Sequence, residues 1–246
     1  MQELLKKISF NLEKIKNNRP LNKTELNELK KSMWVYFTYN SNAIEWSTIT
    51  LWETKIILED WLTIWWKTLK EVSEVQNHKW VLDFLYKFLD SKEDLSEDVI
   101  KKVHNLVLKN IDDENAWKYR RLQVMISWEE KDPVEPTRID EEMKNLIIWF
   151  NENKNRLEPV VLAWEFHYRF VKIHPFIDWN WRTIRILINL ILMRVWFPLI
   201  IIYSVRRAEY ITSLNSKFTK DDFLKFFADI VNENLKDYLR MIDFNW

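Results

Sequence analysis

Between residues 173 and 185 the chain reads IHPFIDWNWRTIR, the densest gathering of reactive side chains in the sequence. His174 is a titratable base near neutral pH, and Asp178 is a hard oxygen ligand of the kind Mg²⁺ takes together with substrate phosphates. Arg182 and Arg185 add two fixed positive charges. The apolar run that follows predicts a helix beginning at Thr183. A helix N-terminus presents unpaired N–H groups and a positive dipole, so the loop and this helix start make a natural phosphate site. Phe176 reads as an apolar anchor for the loop. A lone histidine before proline is more often an ordinary loop residue, and two arginines are more often solvated charge, so these residues taken singly leave both readings open. His167 suits a structural hydrogen bond, and His78 and His104 lack a partner at metal-ligand spacing. Asn189, in an otherwise apolar stretch, either orients the loop or satisfies a buried backbone group.

The elements that position this loop are mostly helical. Apolar residues recur three and four apart along most of the chain, which predicts a mainly α protein. The pattern places helices over residues 3 to 17, from a capped start at Asn22 towards 40, and over 50 to 59 and 69 to 89. Further helices are predicted from a Ser96 cap to about 110, then over 140 to 153, 159 to 172, 183 to 195, 205 to 215 and 220 to 241. Residues 122 to 126 are apolar and β-compatible, and a charged turn with Pro133 and Pro136 follows, so a short β-hairpin is predicted over 122–136. No repeat or flexible linker interrupts the pattern. The expected division is a helical N-terminal region (1–90), a core carrying the reactive loop (91–205) and C-terminal helices packed on that core (206–246).

With 246 residues and 47% apolar content the chain can fill a sizeable core. Its 37 basic and 37 acidic residues cancel, so no overall field favours nucleic acid or anionic membrane. The absence of cysteine excludes disulfides and thiolate metal sites, and with no secretory signal at the N-terminus a cytoplasmic protein is expected. Asn189, Arg194 and Pro198 break the apolar stretch 186–202, which argues against a membrane span. One feature of the composition is abnormal: roughly 17 glycines are expected at this length, yet there are none, and there are 15 tryptophans. Trp61, Trp65, Trp66 and Trp196 fall where turns and helix ends favour glycine. Most tryptophans therefore read as glycines, as when a gene using UGA for glycine, as some bacteria do, is translated with UGA as tryptophan. The alternative is a chain redesigned to lack glycine. Trp149 fits as a genuine core aromatic, and Trp34, Trp164 and Trp246 fit either reading.

Residues 174 to 185 resemble the signature of the Fic (filamentation induced by cAMP) family, H-P-F-x-[DE]-G-N-G-R-x-x-R. Every fixed position matches except the two glycines, where Trp179 and Trp181 stand. Trp117, Lys118, Tyr119 and Arg120, followed by Val124 and Ile126, look like the segment that leads into the family's target-docking flap. Residues 159 to 170 and 206 to 210 are similar to the helices on either side of the signature, so the resemblance covers roughly residues 95 to 240. Upstream, Ser41 and Glu45 followed by Trp46 resemble the family's inhibitory motif, [ST]-x-x-x-E-[GN].

The resemblance implies a Fic-type helical bundle with a short β-hairpin flap, and a protein adenylyltransferase that moves AMP from ATP to a Ser, Thr or Tyr hydroxyl of a target protein. In that scheme His174 is the general base and Asp178 holds Mg²⁺ against the phosphates. Phe176, Trp179, Asn180, Trp181, Arg182 and Arg185 form the nucleotide site, with Arg185 held by the γ-phosphate or, at rest, by Glu45 next to Ser41. The partners implied are ATP and an unknown target docked by strand addition at 122–136. Self-modification and a homodimer are also admitted. Neither DNA nor membrane is expected as a partner, and a bacterial source is. The alternatives are a Fic enzyme using another nucleotide or removing AMP, and an inactive Fic scaffold that binds a protein partner.

Overall fold

The computed structural model describes residues 1–18, 21–91, 93–126, 132–215, 217 and 219–243. Ten α-helices carry the described fold: α1 (Gln2–Lys16), α2 (Lys23–Ile44), α3 (Leu51–Glu59), α4 (Leu69–Asp90), α5 (Glu97–Leu108), α6 (Ile139–Asn153), α7 (Pro159–Ile173), α8 (Asn180–Met193), α9 (Arg207–Leu214) and α10 (Lys220–Asp243). Side chains fix several of the starts by accepting from otherwise unpaired N–H groups. Asn22, Thr50 and Thr68 form capping boxes with Glu25, Glu53 and Glu71, and Ser96 caps α5.

Helix α8 lies at the centre. Its residues from Arg182 to Leu192 are all buried, as expected of a helix that is apolar nearly all round. Helices α7, α5, α4 and α2 pack against it, α6 and α10 cover α7, and α1 lies along α10. One large apolar cluster joins these elements, and a smaller one, with Val35, Ile57, Val72 and Val75, sits beneath α2, α3 and α4. No helix among the described residues is long and apolar enough to cross a membrane.

Two expectations need correction. No strand is present among the described residues, so the short β-hairpin flap predicted over 122–136 is not seen there; residues 127–131 lie outside the described set. Instead of pairing in a ladder, the carbonyls of Leu122 and Val134 accept from the guanidinium of Arg120. The helix predicted from Thr183 begins three residues earlier, at Asn180. Asn189 ties α8 to the extended chain beyond it, donating to the Arg185 and Ile200 carbonyls and accepting from the Ile200 N–H.

Backbone conformation bears on the tryptophans. Among the described residues, seven that are not glycine have positive φ: Trp46, Trp61, Asn110, Trp117, His174, Trp179 and Trp196. A side chain with a Cβ is disfavoured in this left-handed region by about 1–2 kcal/mol, and only glycine, or occasionally Asn or Asp, adopts it routinely. Five of the seven are tryptophan, and Trp46 and Trp196 are also 74% and 78% exposed. Trp65, Trp66 and Trp181 are not in this set, and the Trp66 indole N–H donates to Glu53 at 2.9 Å. Trp149 packs against the core with the Arg169 guanidinium 4.5 Å from its ring, in keeping with a genuine aromatic.

Candidate functional site

The reactive loop is pinned at both ends by hydrogen bonds that leave it little freedom. His174 ends α7 in the left-handed conformation, φ 50° and ψ 61°, with its N–H donating to Phe170 O at 2.9 Å. Its carbonyl accepts from Arg120 Nε at 2.8 Å. Phe176 is fully buried and stacks on the His104 ring at 3.6 Å. Asn180 clasps the same residue, accepting from the Phe176 N–H at 2.9 Å and donating to its carbonyl at 2.8 Å. The Asn180 side chain, expected to face nucleotide, is thus taken up by the loop backbone. His104 Nε2 lies 3.3 Å from Asp178 O, so the ring that stacks on Phe176 also reaches the far side of the loop.

The electrostatics suit a base. Burial, and after it the charge of Arg120, pushes the His174 imidazole down to about 4, so at neutral pH it is uncharged and its lone pair is available for a proton. Asp178 is exposed, and its Oδ1 accepts from the Trp179 N–H at 2.7 Å. Among the described residues no group of three or more metal-ligating side chains comes together. A single exposed carboxylate still suits Mg²⁺, which takes one or two carboxylates and completes its shell with water and substrate phosphates. The donor set fits that metal and no dedicated protein cage.

Both signature arginines point to α2 and α4. Arg185 is 1% exposed; its Nη2 meets Glu45 Oε1 at 2.9 Å and Ser41 O at 2.8 Å, and its Nε donates to Ser41 Oγ at 3.1 Å. Arg182, 7% exposed, donates through Nη2 to Glu74 Oε2 at 3.0 Å and through Nε to Asn42 Oδ1 at 3.1 Å. Two buried guanidinium groups are therefore each matched by one carboxylate and one polar side chain. The Trp179 ring lies 4.2 Å over the Arg182 guanidinium, and Trp181 packs edge-on against Tyr210 at 5.7 Å. His167 Nε2 lies 2.6 Å from the Tyr210 hydroxyl, the structural role expected for it. Arg207 donates to Ile44 O at 2.6 Å, which places a further cation at the negative end of α2.

The sequence therefore brings His174, Phe176, Asp178, Trp179, Asn180, Arg182 and Arg185 into one loop and helix start, and the fold adds Ser41 and Glu45 from the end of α2, 144 positions from Arg185 in the case of Ser41. Glu74, Asn42 and the loop-holding roles of His104 and Arg120 were not read from the sequence. Glu74 and His78 had a visible signal. They fall, with Asn77, on the α4 face that continues through Val81 and Leu85, and polar residues on a core-facing stripe need partners.

Residues 94–192 match the Fic/DOC family. Protein adenylyltransferase fic-1 of Caenorhabditis elegans is 34% identical over 221 residues, covering 88% of this chain and 43% of that protein. The chain spans about half the length of the curated relatives it matches. A glutamate-to-glycine variant of a Fic-1 fragment from C. elegans aligns in structure with a TM-score of 0.88 and 30% identity, covering 98% of this chain and 72% of that one. A Fic domain-containing signaling protein from Bacteroides thetaiotaomicron aligns with a TM-score of 0.83 and 26% identity, over 95% of each chain. The curated relatives matched at this level are animal proteins and do not support the bacterial source expected from the sequence.

Proposed function

Because this chain belongs to the Fic/DOC family, we propose that it is a protein adenylyltransferase held at rest by its own Glu45. The observation that carries the reading is the Glu45–Arg185 ion pair: the second arginine of an anion-binding helix start is occupied, at 2.9 Å, by a carboxylate from α2. A polyphosphate and Glu45 compete for that guanidinium, and like-charge repulsion keeps them from sharing it.

In the working state the His174 imidazole takes the proton of an acceptor hydroxyl. The oxygen bonds to the α-phosphorus of ATP as the bond to pyrophosphate breaks, and the proton stays on His174. Arg182 and Arg185 hold the phosphates while Asn180 and His104 keep the loop in register through Phe176. Mg²⁺ held by Asp178 would neutralise charge on the phosphoryl oxygens. The acceptor protein docks along 122–136, and self-modification uses the same route.

We further read the five left-handed tryptophans, Trp46, Trp61, Trp117, Trp179 and Trp196, as glycines in the working protein, since backbone geometry independently selects these positions. With tryptophan at 179 the ring covers Arg182, and this contact favours the inactive scaffold for the literal sequence.

The test is self-labelling with α-labelled ATP and Mg²⁺, using protein with glycine at those five positions and its Glu45→Gly, Asp178→Ala and His174→Ala variants. Labelling that increases with Glu45→Gly, is lost with His174→Ala and needs more Mg²⁺ with Asp178→Ala supports the enzyme. No labelling in any variant with ATP, UTP or GTP leaves the scaffold.

A further inference from the structure

Arg120 is 3% exposed, and among the described residues none of its bonds goes to a carboxylate. Its donors go to carbonyls from two places in the chain. Nε donates to His174 O at 2.8 Å and Nη2 to Ile173 O at 3.4 Å, at the start of the reactive loop. Nη1 donates to Leu122 O at 2.9 Å and Nη2 makes a close bond to Val134 O, at the two ends of the 122–134 segment. The Arg120 N–H adds a bond to Pro175 O at 2.9 Å. Joining carbonyls of two separate stretches of chain at one point needs what a planar fork of five donors supplies.

We propose that Arg120 is the positioning residue that couples the 122–134 segment to His174. Both ends of the segment and the carbonyl of the base hang on one rigid guanidinium, so moving either end of the segment moves His174. The residue is left-handed at φ 50°, and its carbonyl direction is held by Arg120 Nε. An acceptor that contacts either end of the segment, at Leu122 or at Val134, is therefore coupled to the base through Arg120. This inference rests on the reading of His174 as the base and of 122–136 as the docking segment.

The experiment compares Arg120→Gln and Arg120→Lys with their parent, the Glu45→Gly protein, by amide hydrogen exchange and by self-labelling. Arg120→Gln is expected to raise exchange in 122–126, 132–135 and 173–176 together. It is expected to lower the labelling rate at saturating ATP by about 10²-fold, the order expected when a reacting group is misplaced by about 1 Å, and to leave the half-saturating ATP concentration within twofold. Arg120→Lys, which keeps the charge but not the fork, should restore only part of the rate. Exchange rising in one segment alone, an unchanged rate, or a half-saturating ATP concentration that rises as the rate falls overturns the coupling. If the parent itself does not label, the proposed function fails, and the exchange data alone decide the coupling.

Discussion

Replacing Glu45 by glycine should release the site, and the structure sets the size of the effect. Arg185 is 1% exposed and Glu45 22%, so their 2.9 Å contact is a charge-assisted bond that water weakens from one side only. Bonds to charged groups contribute about 1.5–3 kcal/mol, and the exposure of Glu45 argues for the lower half, about 1.5–2 kcal/mol. ATP must overcome that amount to take Arg185. The half-saturating ATP concentration for self-labelling should therefore fall by about 10- to 30-fold in Glu45→Gly, at 1.4 kcal/mol per factor of ten. Glu45→Gln, which keeps an acceptor and loses the charge, should lie between. The same loss leaves the guanidinium short of a counter-charge, so without ATP the variant should melt about 3 to 8 °C lower. ATP should then raise its Tm more than it raises that of the parent. A half-saturating concentration unchanged within twofold would refute the competition for Arg185, whatever happens to the maximal rate.

Other consequences follow from burial and backbone. The four histidines, His78, His104, His167 and His174, are held at about 3, 4, 3 and 4, in each case first by burial. Their folded pKa values lie below the unfolded 6.5, so the unfolded chain binds more protons between these limits and stability falls as pH drops below 6.5. At pH 5.5 each should contribute a loss of about 1.4 kcal/mol, and a Tm that stays level down to pH 4.5 would contradict this. Over the pH range in which the fold persists, labelling should show no midpoint near 6.5, and one there would mean a solvated base. Converting Trp46, Trp61, Trp117 and Trp196 to glycine should raise stability by about 1 kcal/mol each, measured by denaturant unfolding, and the natural protein should show glycine masses at these positions in peptide mass spectra. Glu74→Gln should destabilise without activating, since it leaves Glu45 on Arg185; a gain in labelling comparable to that of Glu45→Gly would refute the assignment of the brake to α2.

The helices were legible because their signals are local. Asn22 and Ser96 cap where the sequence placed caps, and Thr50 and Thr68 cap helices whose starts the apolar pattern placed within a residue, since a capping side chain bonds within three residues of itself. The start of α8 was misplaced because it was read from the apolar run, whereas a left-handed residue at 179 lets the chain turn directly into the helix three residues earlier. His174, Asp178 and the two arginines were legible as one contiguous signature. Glu45 was expected beside Arg185 from its resemblance to the inhibitory motif, but the counter-charge of Arg182 was not legible, because Glu74 lies 108 positions away and only packing brings the two to 3.0 Å. The 122–136 segment was read as a hairpin from its apolar, β-compatible start and the charged turn with Pro133 and Pro136, but the bonds that join its ends come from a side chain, and neither signal reports those.

Arg182 and Arg185 are buried, and a carboxylate beside each offsets part of the cost of burying its charge. At rest the anions are Glu74 and Glu45; phosphates of a nucleotide would supply the same charge. Exchange at Arg185 therefore changes which anion is bound while the guanidinium stays compensated, which keeps the cost of switching small compared with the cost of leaving it bare. The two carboxylates are not equally able to leave. Glu74 lies inside α4, 5% exposed, and withdrawing it would open the helix packing around His78. Glu45 follows the last residue of α2, where the helix already ends and the side chain is 22% exposed. The carboxylate that can step aside is thus the one at a helix end, and the stability of the resting fold and the readiness of the site are set against each other at Arg185.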